Sequence, residues 1–365
     1  MKIITLAAAL LIPMSLLGPN AALAANGTWS FTTEPDAIKG SNTAALLKDG
    51  RVFFVGSLGN EMTAEIYDPT SATWTRQADP IRTRTIPPAS ATLLSNGRVL
   101  LVGGDALDGY KTSEVFDPSD GTWTAAADLN IPRWYGEVTA LADGRVLMAG
   151  GVPPGGINYM RAAEIYDPTR GTWTVTGSMV QARPWFTMAT LRDRTVLAAG
   201  GGYENITSEV YYPVTGTWSK KSLATVTGAE QQFTLTVLRD GRALAVGGPN
   251  THHLYDPISK TWRATAAPHV TAYFTTATLL QDAAVLVAGT DYCCSASSDV
   301  FDPSTGTWQQ TANLVQRPRQ HHSAVLLNDG RVLVVGGYYE GPPCNEGTCT
   351  IYELQSAEIF TPSGP

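Results

Sequence analysis

The stretch Glu137-Val138-Thr139-Ala140-Leu141-Ala142-Asp143-Gly144-Arg145-Val146-Leu147-Met148-Ala149-Gly150-Gly151 decides how the chain is read. An alternating run reaches Asp-Gly, and a nearly unbroken apolar run then stops at a pair of glycines. Asp and Gly tolerate the positive φ of tight hairpin turns, so the two runs read as paired antiparallel strands. Downstream, Ala163 to Tyr166 forms a third run, Asp167-Pro168-Thr169-Arg170-Gly171 a turn, and Thr172-Trp173-Thr174 a fourth run. Gly136 to Thr174 is thus a four-stranded meander.

The second run recurs at Arg51–Phe54, Arg98–Leu101, Arg145–Met148, Thr195–Ala198, Arg242–Ala245, Ala284–Val287 and Arg331–Val334, seven times in all. Its apolar character suits strands covered on both faces, as when four-stranded sheets stack radially. Trp29, Trp74, Trp123, Trp173, Trp218, Trp262 and Trp308 follow one another at intervals of 44 to 50 residues, the period of propeller blades. Trp29 has no body before it, and the run Ser356 to Gly364 has no Trp after it. The two ends are therefore expected to complete one unit, with strands one to three of the last blade pairing with Gly27 to Ser30. Such closure removes the exposed edge of an open array.

Gly-Gly after the second strand, then Glu-x-Tyr-Asp-Pro and Gly-Thr-Trp, resembles the kelch pattern over essentially the whole chain after residue 24. The resemblance implies an all-β fold, a seven-bladed β-propeller spanning 25–365 as a single domain. The turns after strands one and three are short and repetitive. Loops after strand two, and those joining blades, vary greatly, so function is expected on their face.

Residues 1–24 read as an export signal: Lys2, an apolar run from Ile3 to Leu17, and the small-x-small site Ala22-Leu23-Ala24. Interrupted by Pro13 and Ser15, that run falls short of the ~20 residues a membrane span needs. A secreted, periplasmic or extracellular product without a membrane span is expected. The net charge of -7 and the lack of a basic run argue against nucleic acid as a partner. Export would tend to oxidise the four cysteines. Cys344 with Cys349 would close a short loop, whereas adjacent Cys293 and Cys294 could form only a strained bond, so a cross-pairing stays open.

One position recurs inside the variable loops. Twelve residues before the residue that opens strand two stand Arg133, Arg183 and Arg319 in blades three, four and seven, and Glu164, Glu209 and Glu358 stand on their third strands. These pairs read as buried ion pairs tying each loop to its blade. Blade two offers Ile86 by the same count, and blade five inverts the pattern with Glu230 and His253.

Beside that position the blades diverge, with Trp134, Tyr135, Trp185, Tyr273, His321 and His322 joined by loop aromatics Tyr292, Tyr338 and Tyr339. Aromatic rings with polar tips offer contact area at little entropy cost and suit a sugar ring or a partner protein. All five histidines are expected on loops of the variable face. Imidazoles there suit copper or zinc, which keeps a metal-assisted hydrolase or lyase as one alternative.

The last blade, Arg319-Gln320-His321-His322-Ser323 through Ala357-Glu358-Ile359-Phe360, resembles the closing blade of the galactose oxidase propeller, and Arg133-Trp134-Tyr135 resembles the segment presenting that family's cross-linked tyrosine. The resemblance implies a copper held by two Tyr and two His, with one Tyr joined to Cys. Tyr135 matches the cross-linked Tyr and His322 one His ligand, but His321 stands where the axial Tyr belongs. No cysteine precedes Cys293 to supply the thioether near Thr85 to Ala89. The leading expectation is a monomeric binding module for carbohydrate or protein without a cofactor. A divergent copper oxidase relative lacking the radical is the other alternative.

Overall fold

A computed structural model of the chain describes residues 27–37, 39–58, 61–82, 84, 90–104, 109–156, 158–201, 207–221, 233–247, 251–269, 275–289, 296–345 and 348–363. Its strands form seven four-stranded antiparallel sheets. Strand β1 (Gly27–Phe31) comes first in the chain but belongs to the last sheet. Blade 1 comprises β2 to β5 (Lys39–Leu46, Val52–Leu58, Glu61–Asp68, Thr73–Arg76) and blade 2 β6 to β9 (Ser90–Leu93, Val99–Val102, Ser113–Asp117, Thr122–Ala125). Blade 3 comprises β10 to β13 (Glu137–Ala140, Val146–Ala149, Ala163–Asp167, Thr172–Thr176) and blade 4 β14 to β17 (Phe186–Thr190, Val196–Gly200, Ser208–Tyr212, Thr217–Lys221). Blade 5 holds β18 to β21 (Thr234–Val237, Ala243–Gly247, Thr251–Asp256, Thr261–Ala264) and blade 6 β22 to β25 (Thr276–Leu279, Val285–Ala288, Ser298–Asp302, Thr307–Gln310). Blade 7 contains β26 (Ser323–Leu326), β27 (Val332–Val335) and β30 (Ala357–Pro362), with the hairpin β28 (Tyr338–Asn345) and β29 (Thr348–Glu353) inserted after its second strand.

The ring closes as the sequence predicts. Blade 7 has the order β1-β30-β27-β26, and Trp29 stands opposite Phe360. Trp29 is buried, its ring 5.2 Å from that of Phe360, and its indole N–H donates to Ser298 Oγ in blade 6 at 3.0 Å. Every other repeat Trp reaches back in the same way. Trp173 and Trp262 donate to Ser113 and Ser208 of the preceding blade, while Trp74, Trp123, Trp218 and Trp308 donate to carbonyls of the incoming linker. The residue that marks the period therefore also bolts each blade to the one before.

Second strands such as Val99–Val102 and Val332–Val335 are buried at every position. Two-sided burial is what their unbroken apolar runs require. The buried apolar residues fall into seven clusters, each shared by two adjacent blades, and one joins Val52 and Phe54 of blade 1 to Leu333 and Ile359 of blade 7. The core is thus a ring of interfaces rather than one central mass.

The third strands carry a carboxylate that is buried in six blades: Glu65, Glu114, Glu164, Glu209, Asp299 and Glu358. Five accept two backbone N–H bonds from the linker entering the blade, from Asp36 and Ala37, Ile81 and Arg82, Asn130 and Ile131, Val180 and Gln181, and Val315 and Gln316. Asp299 accepts from His269 N–H. The pairs expected in blades 3, 4 and 7 are present, Arg133–Glu164 at 2.9 Å, Arg183–Glu209 at 3.0 Å and Arg319–Glu358 at 2.5 Å.

A fourth pair corrects the count. Arg84, not Ile86, meets Glu114 at 2.7 Å, because the connection from this position to strand two is two residues longer in blade 2. Each of these arginines also donates to the glycine carbonyl that ends the second strand, Gly103, Gly150, Gly200 or Gly336. Among the described residues no arginine forms an ion pair with Glu65; burial, foremost, pushes its carboxyl above the ordinary range, against the opposing pull of Arg76. Glu230, expected opposite His253, lies outside the described residues.

Two outcomes test this frame. Removing the buried indole in Trp29→Ala should cost about 3–5 kcal/mol in denaturant unfolding; an unchanged midpoint would mean that the ring shuts without this strand. Arg183→Met leaves Glu209 buried without its partner and should cost about 3–5 kcal/mol. A loss well under 1 kcal/mol would show that linker N–H groups alone satisfy the carboxylate.

Candidate functional site

Each arginine of blades 3, 4 and 7 fixes the backbone two residues before an unusual conformation. Tyr135, Trp185 and His321 occupy the same position, directly before strand one, and all have positive φ, 54°, 46° and 52°. Tyr110, on the loop after the second strand of blade 2, has φ 60°. Bulky L-residues rarely enter this region, at a cost on the order of 1–3 kcal/mol each. Positive φ at Ala72, Arg194, Lys260 and Ala283 is confined to strand-connecting turns. On the variable face, by contrast, the strain falls on aromatic side chains and a histidine.

In blades 2 to 4 these rings form one arc. Tyr110 stacks on Trp134 at 4.9 Å, Trp134 on Tyr135 at 5.4 Å, Tyr135 meets Trp185 at 5.3 Å, and Trp185 meets Tyr159 edge-on at 6.0 Å. Trp134 is further held by backbone pairing with Val152 and by its indole N–H donating to the Pro153 carbonyl at 3.2 Å. Tyr135 is 43% exposed, and the other four rings are partly exposed. Trp134, Tyr135 and Trp185 of the sequence expectation are therefore brought together.

A second group belongs to blade 7. His321 stacks on Tyr338 at 5.1 Å, Tyr339 on Tyr352 at 5.0 Å, and the Arg317 guanidinium lies 5.0 Å over the Tyr339 ring. The expected loop after Gly337 is instead the hairpin β28–β29, and Tyr338 to Gly341 pair with Thr350 to Glu353. Arg317 and Tyr352 were not legible as partners, because cross-strand pairing and a linker turn deliver them. Cys344 lies on β28 and Cys349 on β29; their side chains, and Cys293, Cys294, Tyr273 and Tyr292 altogether, are outside the described residues.

His322 is buried below this group. Its Nε2 lies 2.9 Å from Thr276 Oγ1 of blade 6, and its Nδ1 is buried without a hydrogen-bond partner. Burial pulls His321 down to about 4 and His322 down to about 3, with Arg319 adding to the latter, so both are neutral imidazoles at pH 7. The other histidines are dispersed. His252 and His253 lie within strand β20, not on a loop as expected, and His269 sits 3.5 Å from Asp299.

Among the described residues no group of three His, Cys, Asp or Glu side chains is placed to hold a metal. Among the described residues the donor set that a radical copper centre needs is not assembled either. His322 Nε2 faces Thr276, His321 lies against Tyr338 in place of an axial phenol, Tyr135 is enclosed by two indoles, and the segment that should carry the thioether sulfur has no cysteine.

One residue absent from the sequence expectation stands under the arc. Glu137 is two residues beyond Tyr135 on the innermost strand of blade 3, and strand register aligns it with Thr43, Ser90, Thr187, Thr234, Thr276 and Ser323 of the other blades. Six hydroxyl residues and one carboxyl thus mark a single level of the inner wall. Thr43 accepts the Ala91 N–H of the next blade, and Glu137 accepts the equivalent N–H of Met188. Desolvation pushes the Glu137 carboxyl up to about 8.

A groove of about 830 Å³ on the opposite face, between blades 5 and 6, contains Asp240 and Arg242. That ion pair recurs as Asp49–Arg51, Asp143–Arg145 and Asp329–Arg331, all at hairpin turns, so it belongs to the repeat and not to a site. Among the described residues no helix is long and apolar enough to cross a membrane.

No protein-family model matches the chain, and no curated protein does. Among solved structures it is similar to a fungal alcohol oxidase of the AA5 family determined in complex with copper, with a TM-score of 0.70 and 17% identity over 92% of this chain and 76% of that one. At that identity the likeness concerns the fold alone, an all-β, seven-bladed propeller.

Proposed function

We propose that this protein is an exported carbohydrate-binding propeller whose ligand stacks on the arc formed by Tyr110, Trp134, Tyr135, Trp185 and Tyr159. One observation carries the reading: Tyr135 and Trp185 hold their partly exposed rings on the face through positive-φ backbone conformations that cost energy. Sugar rings present an apolar C–H face with hydroxyls around it, and an arc of flat rings edged by phenol and indole groups complements both. Such rings also immobilise little side-chain entropy on binding, which suits a preformed site.

The similar alcohol oxidase is described in complex with copper. Our reading for this chain is binding without copper, on the chemistry of its own side chains: one phenol and one imidazole match that family's ligand set, and the imidazole Nε2 is turned to Thr276.

A glycan array with the chain lacking residues 1–24 should show retention, and Tyr135→Asn or Trp185→Asn should weaken it about thirtyfold, equivalent to ~2 kcal/mol for a central anchor. Asn tolerates positive φ, so these variants keep the backbone. Silence across the array, or full retention in both variants, sinks the reading. After equilibration with copper and washing, well under one copper per chain is expected. Tight stoichiometric copper would return the chain to the oxidase reading.

A further inference from the structure

Glu137 is the one carboxyl at a level of the inner wall where the other six blades carry Ser or Thr. The five third-strand glutamates are each met by two backbone N–H groups, and four of them also by an arginine. Glu137 has neither. The Met188 N–H is the donor that meets it, and no charged group of the described residues helps to hold it ionised. The residue as a whole is half-buried where the innermost strands of blades 3 and 4 meet.

Its position relative to the aromatic arc follows from the chain. Glu137 lies two residues past Tyr135, and Met188, whose N–H it accepts, lies three past Trp185. The carboxyl therefore links the chain segments that carry Tyr135 and Trp185. Desolvation keeps this carboxyl protonated, and a cation brought to it favours the ionised form, so the carboxyl gives up its proton as the cation arrives; the faces of Trp and Tyr attract cations as well. Further round the ring, Thr43 of blade 1 and Ser323 of blade 7 place uncharged hydroxyls at the same level of the wall.

We infer that the site takes an amine-bearing sugar, its ammonium group set against Glu137 while the pyranose face stacks on Tyr135 and Trp185. This rests on the carbohydrate reading above and narrows it to a chemical class. An N-acetylated amine of the same sugar loses the charge and brings a bulky amide to the carboxyl, so the site discriminates between the two forms. Glu137 acts as the specificity determinant, and the aromatic arc supplies the common affinity.

Three β-1,4-linked trimers test the inference because they differ only at C2: glucosamine, N-acetylglucosamine and glucose. Titrated calorimetrically at a pH where the amine is protonated, the unmodified chain should bind the glucosamine trimer about tenfold more tightly than the other two, a difference of ~1.4 kcal/mol. Glu137→Gln should erase that preference while still binding the glucose trimer, and Trp185→Asn should weaken all three alike. Equal binding of the three by the unmodified chain, or a preference that survives Glu137→Gln, overturns the assignment of Glu137 and leaves the aromatic platform standing. Binding of none of the trimers by a chain that is retained on other glycans overturns the amine assignment alone, and binding of no glycan overturns both.

Discussion

A carboxylate buried in the third strand of the blade is the interaction on which this propeller depends. It sits where a linker arrives from the neighbouring blade with unpaired N–H groups, and an unsatisfied buried N–H or carboxylate is expensive. Each solves the other's problem. In blades 2, 3, 4 and 7 an arginine completes the arrangement, bridging the carboxylate to the glycine carbonyl that ends strand two. Three pieces of chain distant in sequence are thereby fixed at one point. A buried ion pair of this kind owes its value less to net attraction than to what its loss would expose.

That same point supports the candidate site. In blades 3, 4 and 7 the residue two places after the arginine, Tyr135, Trp185 and His321, is held at positive φ. Rigid frames can sustain local strain of this sort because many contacts over-determine the backbone on either side. The scaffold and the recognition surface are thus parts of one device: the arginine pins the loop, and the pinned loop turns a ring outward. Glu137 begins the strand that follows and stands just below.

The repeat was largely legible because each of its marks has a local physical cause. Asp-Gly forms hairpin turns, apolar runs mark strands covered on both faces, and Trp at a fixed interval supplies both packing area and an indole N–H that reaches the preceding blade or the linker arriving from it. Where counting failed, geometry explains why. Arg84 was hidden by two extra residues, since a side chain finds Glu114 by position in space and not by distance along the chain. The insertion in blade 7 formed a hairpin in which Tyr338–Gly341 pair with Thr350–Glu353. His252 and His253 were displaced from loop to strand for a similar reason, as the third strand of blade 5 begins at Thr251.

Blade number, the pairing of the two chain ends and the buried Arg–Glu anchors of blades 3, 4 and 7 could all be read from residue order, because each depends on patterns repeated within one unit of the chain. The aromatic arc, the strained backbone beneath Tyr135 and Trp185, and the seven-membered ring of Ser, Thr and Glu137 could not. Those belong to the closed ring, which sets side chains from separate blades side by side at a single level, and no repeat taken alone contains that adjacency.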